Sequence, residues 1–322
     1  MSQDLPPQPA QQLPSRSITY PQEGEVVSFQ NRLYRLGAPI GQGGFGIVYA
    51  CTDDWGNRLA AKVLLPQGRP YEVVEQDWQR ELRNLVTLRH PNITHVYDAF
   101  EWRDTFYIIT ERCDDTLKQL IAWPGIQGEL WLLPMARCVL QAIYFIHQAG
   151  YVHKDLHPGN IFLRYIPDEM SPQKNSALVF KVGDLGISRL ASEIDVFNTI
   201  LAQWMVPPEF LSPQDFGTVG PQTDIYHTGL LCLSLLAGKI IEFTQDEIVS
   251  GKPRQLAESL NSPFAPAIAR SLRRHVAERT QTPLDFWREL SVLAPNANNL
   301  AVNQPQLPGL GVLVQAPQLP PH

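Results

Sequence analysis

Only four cysteines occur among the 322 residues, at Cys51, Cys113, Cys138 and Cys232. They lie too far apart for a C-x-x-C metal or redox site, which excludes a disulfide scaffold and implies separate thiols in a reducing compartment. Excess positive charge is lacking too: 18% charged residues are ordinary for a globular protein, and a net charge of −6 with no visible basic stripe argues against a nucleic acid or an anionic membrane as the main partner, while leaving room for a local basic patch. The N-terminus lacks the apolar core behind basic residues that a secretory signal needs. Long hydrophobic runs are missing too. The most apolar one, Gly229 to Ile241, falls short of a bilayer span and reads as a buried helix. A cytoplasmic chain with neither nucleic acid nor membrane as partner is the expectation, and no internal repeat is evident.

What is present divides the chain into four. Residues 1–24 are rich in Pro and Gln and poor in aliphatics, which makes them a disordered tail. Residues 25–112 carry short β-type runs: Val26 to Phe29, Leu33 to Leu36, Ile47 to Thr52, Leu59 to Leu65, His95 to Phe100 and Thr105 to Thr110. One helix interrupts them from Tyr71 to Leu88, with Val74, Trp78, Leu82, Leu85 and Leu88 on its apolar face. Residues 113–293 are mainly helical, with helices at Leu132 to Gln148 and Thr223 to Leu236 and shorter ones near Gln255, Phe264 and Pro283. Residues 294–322 return to Pro, Asn and Gln, as a second tail or an arm that packs on the folded part.

Chemistry concentrates between Tyr151 and Ile187. Asp155 and Asn160 stand five residues apart in the loop His153-Lys154-Asp155-Leu156-His157-Pro158-Gly159-Asn160, and Asp184-Leu185-Gly186 follows a strand-like segment, Leu178 to Val182. Three oxygen-bearing side chains can thereby converge on one cation, in the way Mg²⁺ is held on a nucleotide. Upstream, Gly41-Gln42-Gly43-Gly44-Phe45-Gly46 lies between two strands, so it is not a dinucleotide fingerprint, which needs a helix after the glycines. Missing side chains at Gly41, Gly43 and Gly46 let backbone N–H groups approach a triphosphate, and Val48 would cover the base. Lys62, in a hydrophobic strand with Ala60 and Ala61, demands a partner, and Glu81 on the following helix is the candidate.

In this order the motifs resemble those of the eukaryotic-like, Hanks-type protein kinase family. They run from the glycine loop through Lys62, Glu81, His90-Pro91-Asn92-Ile93, Asp155 with Asn160 and Asp184 to Pro207-Pro208-Glu209 and Asp224, over about Tyr34 to Leu293. The resemblance implies an α+β, bilobal fold, with a small antiparallel β lobe bearing one helix and a larger, mainly α-helical lobe. It implies ATP and Mg²⁺ as cofactors and protein Ser/Thr hydroxyls as acceptors. Asp155, Lys62, Glu81, Asn160 and Asp184 would be catalytic, the last two Asn160 and Asp184 as metal ligands. Nucleotide would be held by Gly41, Gln42, Gly43, Gly44, Phe45, Gly46, Val48, Ala60, Lys62, Thr110, Glu111, Cys113 and Asp114, the last as a ribose contact. Asp224 would brace the catalytic loop, and Glu209 would pair with Arg279. A regulatory partner would act through the Pro-rich tails.

Four departures stand out. Lys154 replaces the family's usual Arg and cannot grip a phosphate bidentately, which leaves Thr199 a weak candidate for activating phosphorylation. Leu185 replaces Phe. Pro207-Pro208-Glu209 stands for Ala-Pro-Glu. His157 replaces Lys, so that His157-Pro158-Gly159-Asn160 resembles the aminoglycoside and choline phosphotransferases and keeps a small-molecule acceptor open beside a nucleotide-binding scaffold without turnover. The polar stretch Pro167 to Ser176 reads as a solvated loop inserted in a hairpin.

Overall fold

In the computed structural model, the structure describes residues 20–43, 46–64, 70–167, 170, 176–185, 189–190 and 206–293. The chain divides into two compact units. The first takes residues up to Leu82 together with Val96–Arg112, and the second takes Arg83–His95 and everything from Cys113.

In the first unit, β1 (Val26–Phe29), β2 (Arg32–Gly43), β3 (Gly46–Asp53), β4 (Arg58–Leu64), β5 (Val96–Trp102) and β6 (Thr105–Glu111) form one sheet in the order β1-β2-β3-β4-β6-β5, antiparallel throughout. The turns follow from local chemistry. The Asp53 carboxylate accepts the N–H groups of Trp55 and Asn57 at 3.0 and 2.8 Å, while Gly56 takes φ +76°. Arg103 and Asp104 both have positive φ, the twist that a two-residue hairpin needs. One sheet face buries Val27, Tyr34, Leu36, Tyr49, Cys51, Leu59, Ala61, Val63, Phe100, Tyr107 and Ile109. Within this core Phe29, Phe100 and Tyr107 stack at 4.8 and 5.3 Å, pairs worth about 0.5–1.5 kcal/mol each beyond burial.

The helix α1 (Tyr71–Thr87) docks through Trp78, whose indole N–H donates to the Tyr107 carbonyl at 3.1 Å. Tyr20 to Gly24, which composition assigns to the N-terminal tail, make contacts with the sheet. Pro21 is buried, its carbonyl accepts the Tyr49 hydroxyl at 3.2 Å, and Gly24 N–H donates to Leu36. Tyr20 to Gly24 thus extend the sheet edge because Tyr49 and Leu36 offer them partners.

The second unit contains β7 (Asp115–Thr116), α2 (Leu117–Ile121), α3 (Gly128–Gln148), β8 (Tyr151–Val152), β9 (Ile161–Pro167), β10 (Ser176–Val182), β11 (Arg189–Leu190), α4 (Pro208–Leu211), α5 (Pro213–Phe216), α6 (Pro221–Leu236), α7 (Gln245–Ser250), α8 (Lys252–Ser259), α9 (Ala265–Ser271), a 3₁₀ turn (Val276–Glu278) and α10 (Pro283–Val292). Every residue of α6 from Thr223 to Leu235 is buried, the mark of a central helix with no solvent face. By length and composition alone α3 could cross a bilayer, but it packs against α6, α10 and β10 and buries Trp131, Leu132, Met135, Val139 and Ile143 there.

Residues 90–95 belong to this unit for a specific reason. Val182 N–H donates to the Asn92 carbonyl at 2.7 Å, Thr94 N–H donates to Val182 at 2.9 Å, and the Asn92 amide donates to Phe180 at 3.0 Å. None of the four cysteines forms a disulfide. Burial pushes Cys51 and Cys232 up to about 12, which makes them inert, while Cys113 and Cys138 are half-buried.

Candidate active site

In the first unit, strand alternation sorts the candidate nucleotide residues onto one surface. Val48 pairs with Lys62, Ala50 with Ala60, Ala60 with Thr110 and Lys62 with Ile108. Their neighbours Tyr49, Ala61, Val63 and Ile109 belong to the aromatic core, so Val48, Ala60, Lys62 and Thr110 share the opposite face. Lys62 is half-buried within that surface. Glu111 ends β6 opposite Leu59.

The glycine loop is a hairpin end in which Gly41 faces Val48, Gln42 faces Ile47 and Gly43 faces Gly46. Gly46 has a packing reason as well, because a Cβ there would run into the Val63 carbonyl oxygen. Gly44 and Phe45, together with Gly186 and Thr199, lie outside the described residues, as does most of the Pro167 to Ser176 stretch. Glu81 sits on α1, with its side chain outside the described set.

In the second unit the loop between β8 and β9 is built on Asp224, in the first turn of α6. Asp224 Oδ2 accepts the His153 N–H at 2.9 Å, and Oδ1 accepts the Lys154 N–H at 2.8 Å. Its Oδ2 also lies 2.7 Å from His147 Nε2, at the end of α3. Burial works against the Asp224 charge, but these bonds from His147 and His153 outweigh it and hold the carboxyl below the usual range. The His153 ring accepts the Asp155 N–H on Nδ1 at 3.2 Å and so carries its proton on Nε2, 3.1 Å from the Gly183 carbonyl. Fully buried, the ring has its pKa lowered by desolvation and stays neutral.

These ties position the oxygens. The Asn160 amide donates to both the carbonyl and Oδ2 of Asp155 at 3.1 Å, which leaves its own Oδ1 free of that task. Gly183 N–H donates to the Asn160 carbonyl at 2.9 Å, the rung beyond the Ile161–Val182 pair, so Asn160 and Asp184 leave the same end of the β9–β10 ladder. Asp184 takes φ +57° and is half-buried, and Leu185 beside it is fully buried. His157 lies 3.5 Å from Asp155 Oδ1 and accepts the Gly159 N–H on Nδ1 at 3.1 Å; burial pulls its pKa down to about 4.

Asp114, expected to face a ribose, is exposed with its carboxylate already engaged. It accepts the Tyr165 N–H at 2.9 Å and lies 3.7 Å from Arg164. Glu209 pairs with Arg279 through two bonds of 2.9 Å, as the resemblance to the kinase family implies. His147 was not singled out by its sequence. Its signal is position alone, on the last turn of a helix six residues before His153.

The protein kinase domain family matches residues 34–293. Calcium-dependent protein kinase 8 of Arabidopsis thaliana is 30% identical over 210 residues, 64% of this chain and 37% of that protein. Calcium/calmodulin-dependent serine/threonine-protein kinase 1 of Oryza sativa subsp. japonica is 31% identical over 213 residues, 64% of this chain and 34% of that protein. The chain therefore spans little more than a third of the length of these two relatives. The match runs from Tyr34 in β2 to Leu293 at the end of α10 and takes in the Asp155–Asn160 loop and its Asp224 brace, and the chain belongs to the protein kinase domain family.

Proposed function

We propose that this chain transfers the γ-phosphoryl group of ATP, with Mg²⁺, to Ser or Thr hydroxyls of protein substrates. Asp155 carries the proposal. It is a carboxylate 8% exposed, held on Oδ2 by Asn160, on a loop pinned by a buried Asp224. A base so restrained can orient an acceptor hydroxyl and take its proton as the new P–O bond forms, and phosphoryl transfer gains chiefly from such positioning.

On the other unit, Lys62 serves the α- and β-phosphates, with Glu81 as its partner. The backbone of Gly41 to Gly46 covers the phosphates, and Val48, Ala60 and Thr110 form an apolar wall for the base. Backbone groups from Glu111 to Cys113 read the adenine edge. Asn160 through Oδ1 and Asp184 through its carboxylate are the residues that would hold Mg²⁺. Both are hard oxygen donors at one strand end, and among the described residues no group of three His, Cys, Asp or Glu could hold a metal alone, which suits an ion completed by phosphate and water. Bound there, Mg²⁺ neutralises charge on the transferred group. The Pro-rich ends are the stretches proposed to take a regulatory partner.

Incubation with labelled ATP, Mg²⁺ and myelin basic protein tests the reading. Label is expected in protein, and Asp155→Asn is expected to lose about 10²–10⁴ in rate while keeping nucleotide affinity. Label confined to a small metabolite, or none in the wild type, would replace this function with a small-molecule phosphotransferase or a non-catalytic scaffold.

A further inference from the structure

One stretch of this acidic chain is locally basic, with five of its 26 Lys and Arg. Residues 252–274 hold five Lys or Arg and one Glu, a local net of +4 against −6 for the whole. Three of the arginines line a groove of 260 Å³ between α8 and α9, bounded by Arg254 and Glu258 on one side and by Arg270 and Arg273 on the other. Its floor is the small apolar surface of Ala265, Pro266 and Ala269, which allows a backbone to approach closely.

The guanidinium groups are only partly used. Arg254 donates through Nε to Glu258 at 2.8 Å, Arg270 through Nη1 to Glu289 at 3.0 Å, and Arg273 through Nη1 to the Glu278 carbonyl at 3.2 Å. Each has five N–H donors, so most remain for an incoming acceptor, in the planar geometry that suits carboxylates. Arg254 and Arg270 are 43% and 55% exposed and thus reachable. The complement does not come from the chain's own ends: residues 1–22 contain one acid, Asp4, and residues 294–322 contain none.

We infer that the α8–α9 groove, which none of the residues assigned to the transfer chemistry lines, docks a carboxylate-rich peptide segment of the protein substrate. The inference rests on the protein-kinase reading for the identity of the partner. The contact itself needs no turnover.

The test is fluorescence anisotropy with the full chain and a short fluorescein-labelled Asp/Glu peptide that lacks hydroxyl residues. Its Asn/Gln isostere serves as control. The acidic peptide is expected to bind and the isostere not, with affinity falling as NaCl rises through the range that screens exposed charges. In Arg254→Gln/Arg270→Gln/Arg273→Gln affinity falls roughly tenfold or more, while Arg288→Gln, an exposed arginine on α10, leaves it unchanged. The single variants Arg254→Gln and Arg270→Gln each lose part of it and give a reading even if the triple variant fails to fold. No binding by the wild type, equal binding by folded variants, or stronger competition from an oligonucleotide of the same charge would overturn the inference. Phosphorylation of myelin basic protein, measured in parallel, is expected to persist in the triple variant. Its absence from the wild type as well would instead count against the kinase reading, independently of the groove.

Discussion

Asp224 Oδ1 accepts the backbone N–H of Lys154 at 2.8 Å across 70 residues of chain. Lys154 sits at φ +67° and is 1% exposed, a left-handed backbone that costs a non-glycine residue roughly 1–2 kcal/mol. The Asp224 carboxylate compensates by holding Lys154 and His153 together, directly before Asp155. Asp224→Asn keeps the shape but turns one acceptor into a donor that faces an N–H. We expect a loss of about 1–3 kcal/mol, read as a lower urea midpoint with unchanged slope. Turnover at a temperature where the variant stays folded is expected to fall more than about tenfold, because a small displacement of a catalytic group costs more in rate than in stability. An unchanged rate would mean that the loop holds its own conformation.

Glu209 and Arg279 form a fully buried pair. The Thr223 hydroxyl adds a bond to Glu209 at 2.8 Å, Arg279 donates to the Gln222 carbonyl at 2.8 Å, and its guanidinium lies 4.8 Å from the Tyr226 ring. Burial opposes the Glu209 charge, but Arg279 prevails and lowers its pKa. Arg279→Met is expected to cost about 3–5 kcal/mol by leaving that carboxylate alone, and Arg279→Met/Glu209→Leu to recover much of it. A thermal-unfolding cycle checks this; additive losses would show that the two side chains do not act as a pair.

Most of the first unit was legible in the sequence because its strands alternate cleanly and its turns carry Asp, Asn and Gly. The exception is β2, expected only over Leu33 to Leu36. Gly37, Pro39 and Gly41 look like turn residues, but register shifts on either side of Pro39 absorb them and the strand continues to Gly43. In the second unit the run Ile161 to Ile166 is β-type, but the insertion before its partner β10 leaves the extent of their pairing open in the sequence, and Pro134 hid the true start of α3 at Gly128. That Asn160 would meet Asp155, and that Asn160 and Asp184 would leave one end of a strand pair, could be anticipated from spacing. His147 could not, because its partner Asp224 is 77 residues downstream. Nor could the sequence show that Tyr165 N–H would occupy the Asp114 carboxylate.

Two glycines at the facing ends of β2 and β3, Gly41 and Gly46, are expected to respond differently. A methyl at Gly46 meets the Val63 carbonyl, so β3 or β4 must shift, and Gly46→Ala is expected to cost about 1–3 kcal/mol. At Gly41 the nearest atom is Val48 Cβ at 3.9 Å, an ordinary contact, and Gly41→Ala is expected to stay within about 0.5 kcal/mol of wild type. Any loss of ATP affinity in Gly41→Ala, measured by titration, then reports backbone approach to phosphate without a folding effect. Equal destabilisation of both variants would contradict the assignment of Gly46 to strand packing.

His157 gives the protein a specific acid sensitivity. Its Nδ1 accepts the Gly159 N–H at 3.1 Å, and a side chain at Gly159 would press on the ring, so the imidazole is held against the loop with its proton on Nε2 near Asp155. The folded pKa is about 4, lowered first by burial, whereas an unfolded histidine titrates near 6.5. Between these values the unfolded chain binds a proton that the folded chain refuses. The stability that His157 contributes is therefore full above about pH 6.5 and declines as pH falls toward 4, with a ceiling of about 1.4 kcal/mol per pH unit. His157→Asn removes the titration and keeps an oxygen for the Gly159 N–H. Urea unfolding in metal-free buffer from about pH 7.5 to 4.5 is expected to show a shallower acid limb in that variant. A slope equal to that of wild type would assign the acid limb to His153 or His90, whose pKa values burial also lowers.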